Sequence, residues 1–351
     1  MNARFDFDAV FRAKPVILAP MEDVTDAVFR RICRACGASL CVTEFALAEA
    51  LVAEESEALQ KIRLAPDDTP TAIQIYGADA SSLAQAARIA EQAGPAYIDV
   101  NCGCWVPKVA RAGAGAGWLR SPDAMVAMAR MVVSSSALPV TVKTRIGWGD
   151  ESDMPIVDLA RRLEDVGVRA LTIHCRTARM GHEGAADWSW AARVQAAVSV
   201  PVIVNGDIRT AQDCQKALDL TGCAGVMIGR RAIEHPWIFR EARARLEHAK
   251  KPTAPTLHER VDLCTRHLLA LQAARGTRKA LTAASRFYAG YLGKQPDTAP
   301  YIAELRASRN LETALEVLHS LTTQQPYAEQ TMRDLERTTR LERSPFGEEE
   351  Y

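Results

Sequence analysis

Cys104 is the residue with the clearest chemical potential, in a segment Asn101–Cys104 that follows a short apolar run. A thiol has a pKa of about 8.5, so it can act as a nucleophile or a proton donor, and nearby cations tune that pKa. Trp105, Lys108 and the small-residue segment 112–117 follow it. A glycine-containing loop at the end of a predicted strand makes Cys104 a candidate catalytic thiol.

Two further segments are suited to binding an anion. Asn205–Asp207 and Gly229–Arg230 combine small residues, which let backbone N–H groups approach an anion, with an arginine that can grip it. The second is equally consistent with a plain turn. Lys143 ends a predicted buried strand and needs an anionic partner, which a reduced flavin supplies. His174 and Gln74 are then candidate hydrogen-bond partners of that ring or its phosphate.

The other cysteines do not form a metal-site pattern. Cys33 and Cys36 are spaced as C-x-x-C, but they lie in a stretch of helical periodicity with no second pair nearby, which argues against zinc. The nine cysteines lack the spacing of a disulfide scaffold. We therefore expect no metal, no disulfide framework and a reducing compartment, the cytoplasm.

The elements that position these residues alternate between strands and helices. Eight short apolar runs bounded by turn residues predict strands, each followed by a stretch of helical periodicity. The predicted strands are Val16–Ala19, Leu40–Thr43, Ala72–Tyr76, Tyr97–Val100, Val140–Lys143, Ala170–His174, Val202–Asn205 and Gly225–Gly229. This pattern predicts a (β/α)8 TIM barrel, with a doubly wound open sheet as the alternative. In a barrel, polar residues at the carboxyl ends of the strands meet at one rim.

A different pattern begins near the linker Lys250–Pro252, after which no convincing strand follows. Apolar residues at helical spacing predict a small helical bundle. Its three predicted faces are Leu263, His267, Leu268 and Leu271; Leu311, Leu315, Leu318 and Leu321; and Met332, Leu335 and Thr339. The expected domains are a barrel over 1–248, a helical domain over 249–345 and a disordered acidic tail over 346–351.

Charge and composition narrow the function classes. The chain has 43 basic and 43 acidic residues, unlike a protein that simply coats nucleic acid. Locally, residues 275–294 hold five basic and no acidic residues around Phe287, Tyr288 and Tyr291. That stretch is either a clamp for a phosphate backbone or a solvated helix face over core aromatics. No apolar run approaches the roughly 18 residues of a membrane helix, so we expect no membrane association.

Six motifs occur in an order that resembles the flavin-dependent tRNA-dihydrouridine synthases. They are Ala19–Asp26, Asp99–Cys104, Val142–Trp148, His174–Thr177, Asn205–Ile208 and Gly225–Arg230. The helical tail is similar to that family's tRNA-binding domain. The Asn-Cys-Gly-Cys form, Cys41–Phe45 and Thr221–Cys223 are most similar to the DusC branch, which reduces uridine 16 of the tRNA D-loop.

This resemblance implies a role for each matching residue. Cys104 would be the general acid, with NADPH-reduced FMN as the hydride source and tRNA as the substrate of a monomeric enzyme. FMN would be held by Pro20, Met21, Glu22, Gln74, Lys143, His174, Asn205, Gly206, Asp207, Gly229 and Arg230. The residues implied on the RNA side are Asn101, which would hold the flipped uracil, Arg145, Arg176, His182 and Arg286.

Several positions depart from the family pattern. Trp105 stands where the family usually has proline, and Pro107 replaces an often basic residue. Asp23 and Cys175 replace glycines, and Leu47 stands where the DusC branch carries an arginine that orients the tRNA. Two other functions therefore stay open. One is a flavin barrel acting on a free pyrimidine, like the dihydroorotate and dihydropyrimidine dehydrogenases; the other is a tRNA-binding relative that has lost catalysis.

Overall fold

Parallel strands close into a barrel in this protein, whose computed structural model describes residues 5–149, 154–293 and 297–323. The strands in this part of the chain are β1 Val16–Leu18, β2 Leu40–Val42, β3 Ala46–Leu47, β4 Thr71–Tyr76, β5 Ile98–Cys102, β6 Val140–Arg145, β7 Ala170–His174, β8 Val202–Asn205 and β9 Gly225–Ile228. Strand β1 pairs with both β2 and β9, and β2 also pairs with β4, which completes the ring. The predicted TIM barrel is confirmed, and the open-sheet alternative is excluded.

Each predicted strand has an observed counterpart; Ala170–His174 and Val202–Asn205 have the predicted bounds, and the ends of the others differ by one or two residues. Strands β5 and β6 extend further than predicted because their pairing continues up to the partners Cys102 and Thr144. The sequence pattern does not predict β3, whose two residues are too few to show periodicity. It pairs with Ile75 and Tyr76 at the end of β4, so it continues the barrel wall beyond β2.

The helices fall into two compact units, one ending at Thr253 and one beginning at Ala254. The helices of the first unit are α1 Phe7–Arg12, α2 Ala27–Ala35, α3 Ala48–Val52, α4 Ser56–Ile62, α5 Ala80–Gln92, α6 Pro107–Arg111, the 3-10 helix Gly115–Arg120, α7 Pro122–Ser135, α8 Ile156–Asp165, α9 Ser189–Gln195, α10 Ala211–Thr221, α11 Arg230–Glu234 and α12 Ile238–Leu246. Those of the second are α13 Leu257–Arg275, α14 Thr277–Ala284, α15 Tyr288–Leu292, α16 Ala299–Ala307 and α17 Leu311–Thr323.

The amino ends of the barrel strands are closed by aromatic packing. Helix α1 starts at the cap Asp6, whose carboxylate accepts a hydrogen bond from the N–H of Ala9 at 2.9 Å. Its buried Phe7 and Phe11 pack on Tyr97, which directly precedes β5. Because this end is filled, the opposite rim is the open one.

The second unit buries the whole of the first predicted apolar face, and of the second face it buries Leu318 and Leu321 but leaves Leu311 and Leu315 partly exposed. Helix α13 begins at a capping box in which Thr256 and Glu259 each bond the other's backbone N–H. Leu263, Leu268 and Leu318 are buried. The third predicted face and the acidic tail lie outside the described residues. Within the described ranges, no helix has the length and apolar character needed to cross a membrane.

The aromatic residues of the basic stretch belong to the core of this unit. Phe287, Tyr288 and Tyr291 are all buried, so they offer no surface for stacking a base. Arg286 is exposed beside them. The aromatic part of the stretch is thus structural, while Arg286 stands at the surface.

Candidate active site

A cavity of about 570 Å³ opens at the carboxyl ends of the strands. The predicted site residues that line it are Pro20, Met21, Glu22, Asn101, Cys104, Lys143, Arg145, His174, His182, Asn205, Gly206, Asp207, Gly229 and Arg230. Gln74 and Arg176 are buried outside this lining, and Arg286 belongs to the second unit. Arg209 and Phe45 also line the cavity; Phe45 ends the Cys41–Phe45 segment noted in the sequence, whereas no motif includes Arg209.

A buried chain of hydrogen bonds begins at Asp99. Its carboxylate accepts a hydrogen bond from Thr141 Oγ1 and another from Gln74 Nε2 at 2.6 Å. The Gln74 Oε1 in turn accepts from Asn101 Nδ2 at 2.9 Å. An ionised carboxylate can only accept, so each amide in the chain has a single allowed orientation. Gln74 therefore supports Asn101 from behind the cavity wall.

The far end of this chain holds the backbone around the candidate catalytic thiol. Asn101 Oδ1 accepts hydrogen bonds from the N–H groups of Gly103, at 3.0 Å, and Cys104, at 2.9 Å. The carbonyl of Cys104 accepts from the N–H of Ala116 at 2.9 Å. A Cβ at Gly115, where φ is +57°, would lie 2.9 Å from the Cβ of Cys104. The small-residue segment is thus what allows the chain to pack behind the thiol.

Arg145 joins two loops at the cavity wall through three hydrogen bonds. Its buried guanidinium donates to the carbonyls of Gly103 at 2.8 Å, Thr177 at 2.8 Å and Gly181 at 2.9 Å. Burial, followed by the positive charge of Arg176, lowers the pKa of Arg145 to about 10. Arg145 is thus bonded to the Cys104 loop on one side and to the loop after β7 on the other.

Arg176 is buried and lies outside the cavity lining, so its side chain does not face an incoming RNA. Its buried guanidinium donates to the carbonyls of Glu183, at 3.0 Å, and Gly184, at 2.6 Å. It also forms an ion pair with Asp207 at 2.6 Å. These bonds make Arg176 a support for the loop after β7 and for the acid of the Asn205–Asp207 segment.

The Cys104 thiol is half-buried, and its environment keeps it protonated. Burial raises the pKa of this thiol, and the opposing effects of a backbone hydrogen bond at Val106 and of the cations Arg145 and Lys143 do not cancel that rise. The other eight cysteines are all buried. A protonated thiol at a cavity wall is in the state required of a proton donor.

Lys143 places a partly desolvated cation in the same cavity. Its Nζ donates to the neutral amide oxygen of Asn205 at 3.2 Å, and Asn205 is oriented by a bond of 2.8 Å to the carbonyl of Met227. Burial and then Arg145 lower the pKa of Lys143 to about 8. The nearby His174 is buried, which together with the same cations lowers its pKa well below the ordinary value. An anionic or electron-rich ligand would relieve this concentration of positive charge.

The segment after β8 is shaped for close approach of a ligand. Gly206 has φ +115°, and a Cβ there would lie 2.8 Å from the Cβ of Ala186 and 3.1 Å from His174 Cδ2. Asp207 pairs with the exposed Arg230 at 3.5 Å. A Cβ at Gly229 would meet its neighbours at 3.6 Å, an ordinary contact, so space alone does not require glycine there.

The rim segment after β1 is ordered by its own hydrogen bonds. The N–H of Met21 donates to Thr25 Oγ1 at 3.0 Å, and the exposed Glu22 forms an ion pair with Lys61.

Among the residues that the structure describes, no group of three His, Cys, Asp or Glu side chains is arranged to hold a metal ion.

Asp99→Asn should change how stability depends on pH. Burial raises the pKa of Asp99 from 3.8 to about 6 against the opposing bonds from Thr141 and Gln74. A carboxyl whose folded pKa is raised stabilises the fold below the unfolded pKa and loses that contribution as pH rises to the folded pKa. The loss, roughly 3 kcal/mol, falls between about pH 4 and about pH 6.

Urea unfolding of both proteins at about pH 4 and about pH 7 measures this effect. The free energy of unfolding of the variant, relative to the wild type, should increase by roughly 2–3 kcal/mol at the higher pH. A difference that stays constant across this range would show that Asp99 does not titrate as its burial implies.

Comparison with known proteins identifies the family. The model for the family described as Dihydrouridine synthase (Dus) matches residues 17–326. A probable tRNA-dihydrouridine synthase of Rhodobacter capsulatus is 37% identical over 307 residues, covering 87% of this chain and 94% of the relative. The tRNA-dihydrouridine synthase B of Pasteurella multocida is 36% identical over 285 residues, covering 80% of this chain and 85% of the relative.

A third relative, from Synechocystis, is named probable tRNA-dihydrouridine synthase 1 and is 32% identical over 303 residues, covering 86% of this chain and 85% of its own. These names include a B-type enzyme, so similarity to the DusC branch stays a prediction. The family predicted from the six motifs is confirmed: the chain belongs to the dihydrouridine synthases, a family of oxidoreductases.

Proposed function

We propose that this enzyme reduces the C5=C6 bond of a uridine in the D-loop of tRNA, using FMN that NADPH has reduced, with Cys104 as the proton donor. One observation carries the proposal: a protonated, half-buried thiol shares a single cavity with a partly desolvated lysine. Reduction of a double bond needs a hydride and a proton, and this arrangement accounts for the proton.

The donor set of the cavity fits FMN. Lys143, bonded to a neutral amide, suits the electron-rich edge of a flavin ring. Gly206, which has no room for a side chain, and the exposed Arg230 suit a phosphate group. When bound, reduced FMN would supply the hydride for C6 of the uracil.

Cys104 completes the reduction by transferring the proton of its Sγ–H group to C5. The bond from sulfur to hydrogen breaks as the C5–H bond forms, and the sulfur retains the electron pair as a thiolate. Arg145 and Lys143 stabilise that thiolate, since both charges lower the pKa of the Cys104 thiol. A proton from solvent then restores the thiol.

The substrate is presented by an unpaired region of tRNA. A uridine enters the cavity only after leaving its stack, which costs a few kcal/mol and is easiest in a distorted loop. Arg209 and Arg230 add positive charge at the cavity wall, and we propose that Arg286 contacts the RNA backbone. Position 16 follows from the resemblance to the DusC branch alone. We propose that the enzyme acts as a monomer in the cytoplasm.

The proposal is tested by the absorption spectrum of the purified protein. We expect a flavin band that bleaches with NADPH and, without oxygen, recovers only when unmodified tRNA is added. Dihydrouridine should then appear in the tRNA, and mapping it gives the position.

Two results would overturn the proposal in different ways. Recovery of the flavin band with a free pyrimidine rather than tRNA would identify a small-molecule reductase. Binding of tRNA without any flavin band or product would identify a relative that has lost catalysis.

A further inference from the structure

Trp105 is an exposed aromatic residue at the wall of the cavity. It directly follows Cys104, lines the cavity and is 36% exposed. A single exposed apolar residue is common at a protein surface, but here the neighbouring Val106 is also exposed and lines the same cavity, so the two form an apolar patch beside the thiol. The proposed chemistry at Cys104 and Lys143 makes no use of this indole ring.

The ring is held on one side by Gly181. A Cβ at Gly181, where φ is +57°, would lie 3.2 Å from Trp105 Cε3 and Cζ3. The glycine therefore packs directly against the indole, and a side chain there would displace it. This contact occupies one side of the ring, while the side chain as a whole stays 36% exposed at the cavity wall.

His182 fixes the orientation of the same ring. The two rings meet edge to face, with centroids 5.5 Å apart and planes at 83°. The indole N–H points to His182 Nε2 at 3.5 Å. Desolvation, and then the cations Arg230 and Arg145, lower the pKa of His182 to about 4, so it is neutral at working pH and can accept this hydrogen bond.

The surroundings favour one class of occupant for the exposed part of the ring. The basic side chains of the cavity lining (Lys143, Arg145, Arg209, Arg230 and Arg231) outnumber the acidic ones (Glu22, Asp207 and Glu234), so the net charge of the lining is positive. Unpaired RNA combines phosphate charge with bases that stack on aromatic side chains, a contact that tolerates any base. A free pyrimidine lacks the phosphate charge that these cations attract.

We propose that Trp105 is a stacking platform for a tRNA nucleobase that flanks the uridine entering the cavity. This inference rests on the proposed function, because it assumes that the substrate is RNA. It assigns a binding role to the residue that departs from the family pattern beside the thiol. Trp105 thereby positions the RNA, while Cys104 carries out the proton transfer.

The test compares Trp105→Leu with Trp105→Phe. Leucine keeps an apolar side chain at this position but has no aromatic face, whereas phenylalanine keeps both properties. Dissociation of fluorescently labelled, unmodified tRNA gives the affinity, and rapid mixing with NADPH gives the rate of flavin reduction. Trp190→Leu is the matched control, since Trp190 lies on α9 outside the cavity lining, against Arg193.

Trp105→Leu should weaken tRNA binding roughly tenfold, and Trp105→Phe by no more than about threefold. Flavin reduction by NADPH should be unchanged in both variants, and Trp190→Leu should match the wild type. Equal tRNA affinity in the wild type and Trp105→Leu would overturn the proposal. So would an effect confined to NADPH, which would assign the ring to the nicotinamide cofactor.

Failure of the platform is distinguishable from failure of the proposed function. If the wild type binds tRNA but forms no dihydrouridine, the proposed activity fails, and weaker binding by Trp105→Leu still supports the platform. If the wild type forms dihydrouridine and all variants bind tRNA equally, the activity stands and the platform fails. If the wild type does not bind tRNA, both are overturned.

Discussion

Replacing Cys104 with alanine is expected to lower the rate of dihydrouridine formation by roughly 10²–10⁴-fold, the range typical for loss of a positioned general acid. The structure supports so large an effect because Cys104 is the cysteine that lines the cavity. The other eight cysteines are buried, so they do not present a second thiol to the substrate. Flavin reduction by NADPH and the affinity for tRNA should be nearly unchanged, since Cys104 acts only in the transfer of a proton to C5.

The measurement is single-turnover formation of dihydrouridine with flavin reduced beforehand, so that reduction by NADPH does not limit the rate. Cys104→Ser provides a close steric match, and it should be as impaired as the alanine variant because a hydroxyl is a much weaker acid than a thiol. Cys36→Ala, at the end of α2, controls for loss of a thiol elsewhere. A single-turnover rate in Cys104→Ala within a few fold of the wild type would remove this thiol from the mechanism.

The barrel was predictable from sequence because its strands are short, buried and separated by stretches of helical periodicity. Ala170–His174 and Val202–Asn205 are observed with the predicted bounds. The ends of β5 and β6 differ from the prediction, because pairing between these two strands extends them into polar residues. Strand β3 was missed for a related reason: its two residues form a strand only by pairing with the end of β4.

The cavity lining was largely predictable, since barrel topology brings the carboxyl ends of the strands to one rim. The hydrogen-bonded residues behind that lining were not predictable, because their contacts depend on strand register. Thr141 pairs with Asp99 across β6 and β5, and Asp99 pairs with Gln74 across β5 and β4. The chain of hydrogen bonds that ends at Cys104 follows from this register. A glutamine assigned to the flavin by resemblance is therefore bonded to Asp99 and Asn101.

Arg145→Met should have the second large effect, because Arg145 bonds three carbonyls in two loops at once. Each buried carbonyl left without a partner costs about 1–3 kcal/mol, so the free energy of unfolding should fall by roughly 3–5 kcal/mol. The Cys104 loop loses its bond from Arg145 to the Gly103 carbonyl. A displacement of about 1 Å at a catalytic group can cost about 100-fold in rate, and we expect a loss of turnover of that order.

Lysine should not restore the function of Arg145. The guanidinium donates through Nε to Gly103 and through Nη1 to Thr177 and Gly181, so its donors lie on two separate atoms. A lysine concentrates its donors on one atom and cannot match that fork. Arg145→Lys should therefore keep the positive charge near Cys104 yet lose most of the turnover.

Alkylation of the native protein by iodoacetamide, followed by mass spectrometry, reports on Cys104 because the remaining cysteines are buried. In Arg145→Met the alkylation rate should reach a higher plateau at high pH, since the loop is released. Arg145→Lys should raise the plateau as well, because a lysine does not restore all three bonds to the two loops.

Arg179→Met is the matched control, because Arg179 is exposed and its loop is held through its backbone N–H, which donates to the carbonyl of Trp148 at 2.9 Å. Its alkylation profile and turnover should match the wild type. An Arg145→Met protein with wild-type stability and an unchanged alkylation profile would show that the two loops hold their positions without this arginine. The geometry around Cys104 would then depend on Asn101 and the buried chain behind it, because those bonds reach the thiol loop independently of Arg145.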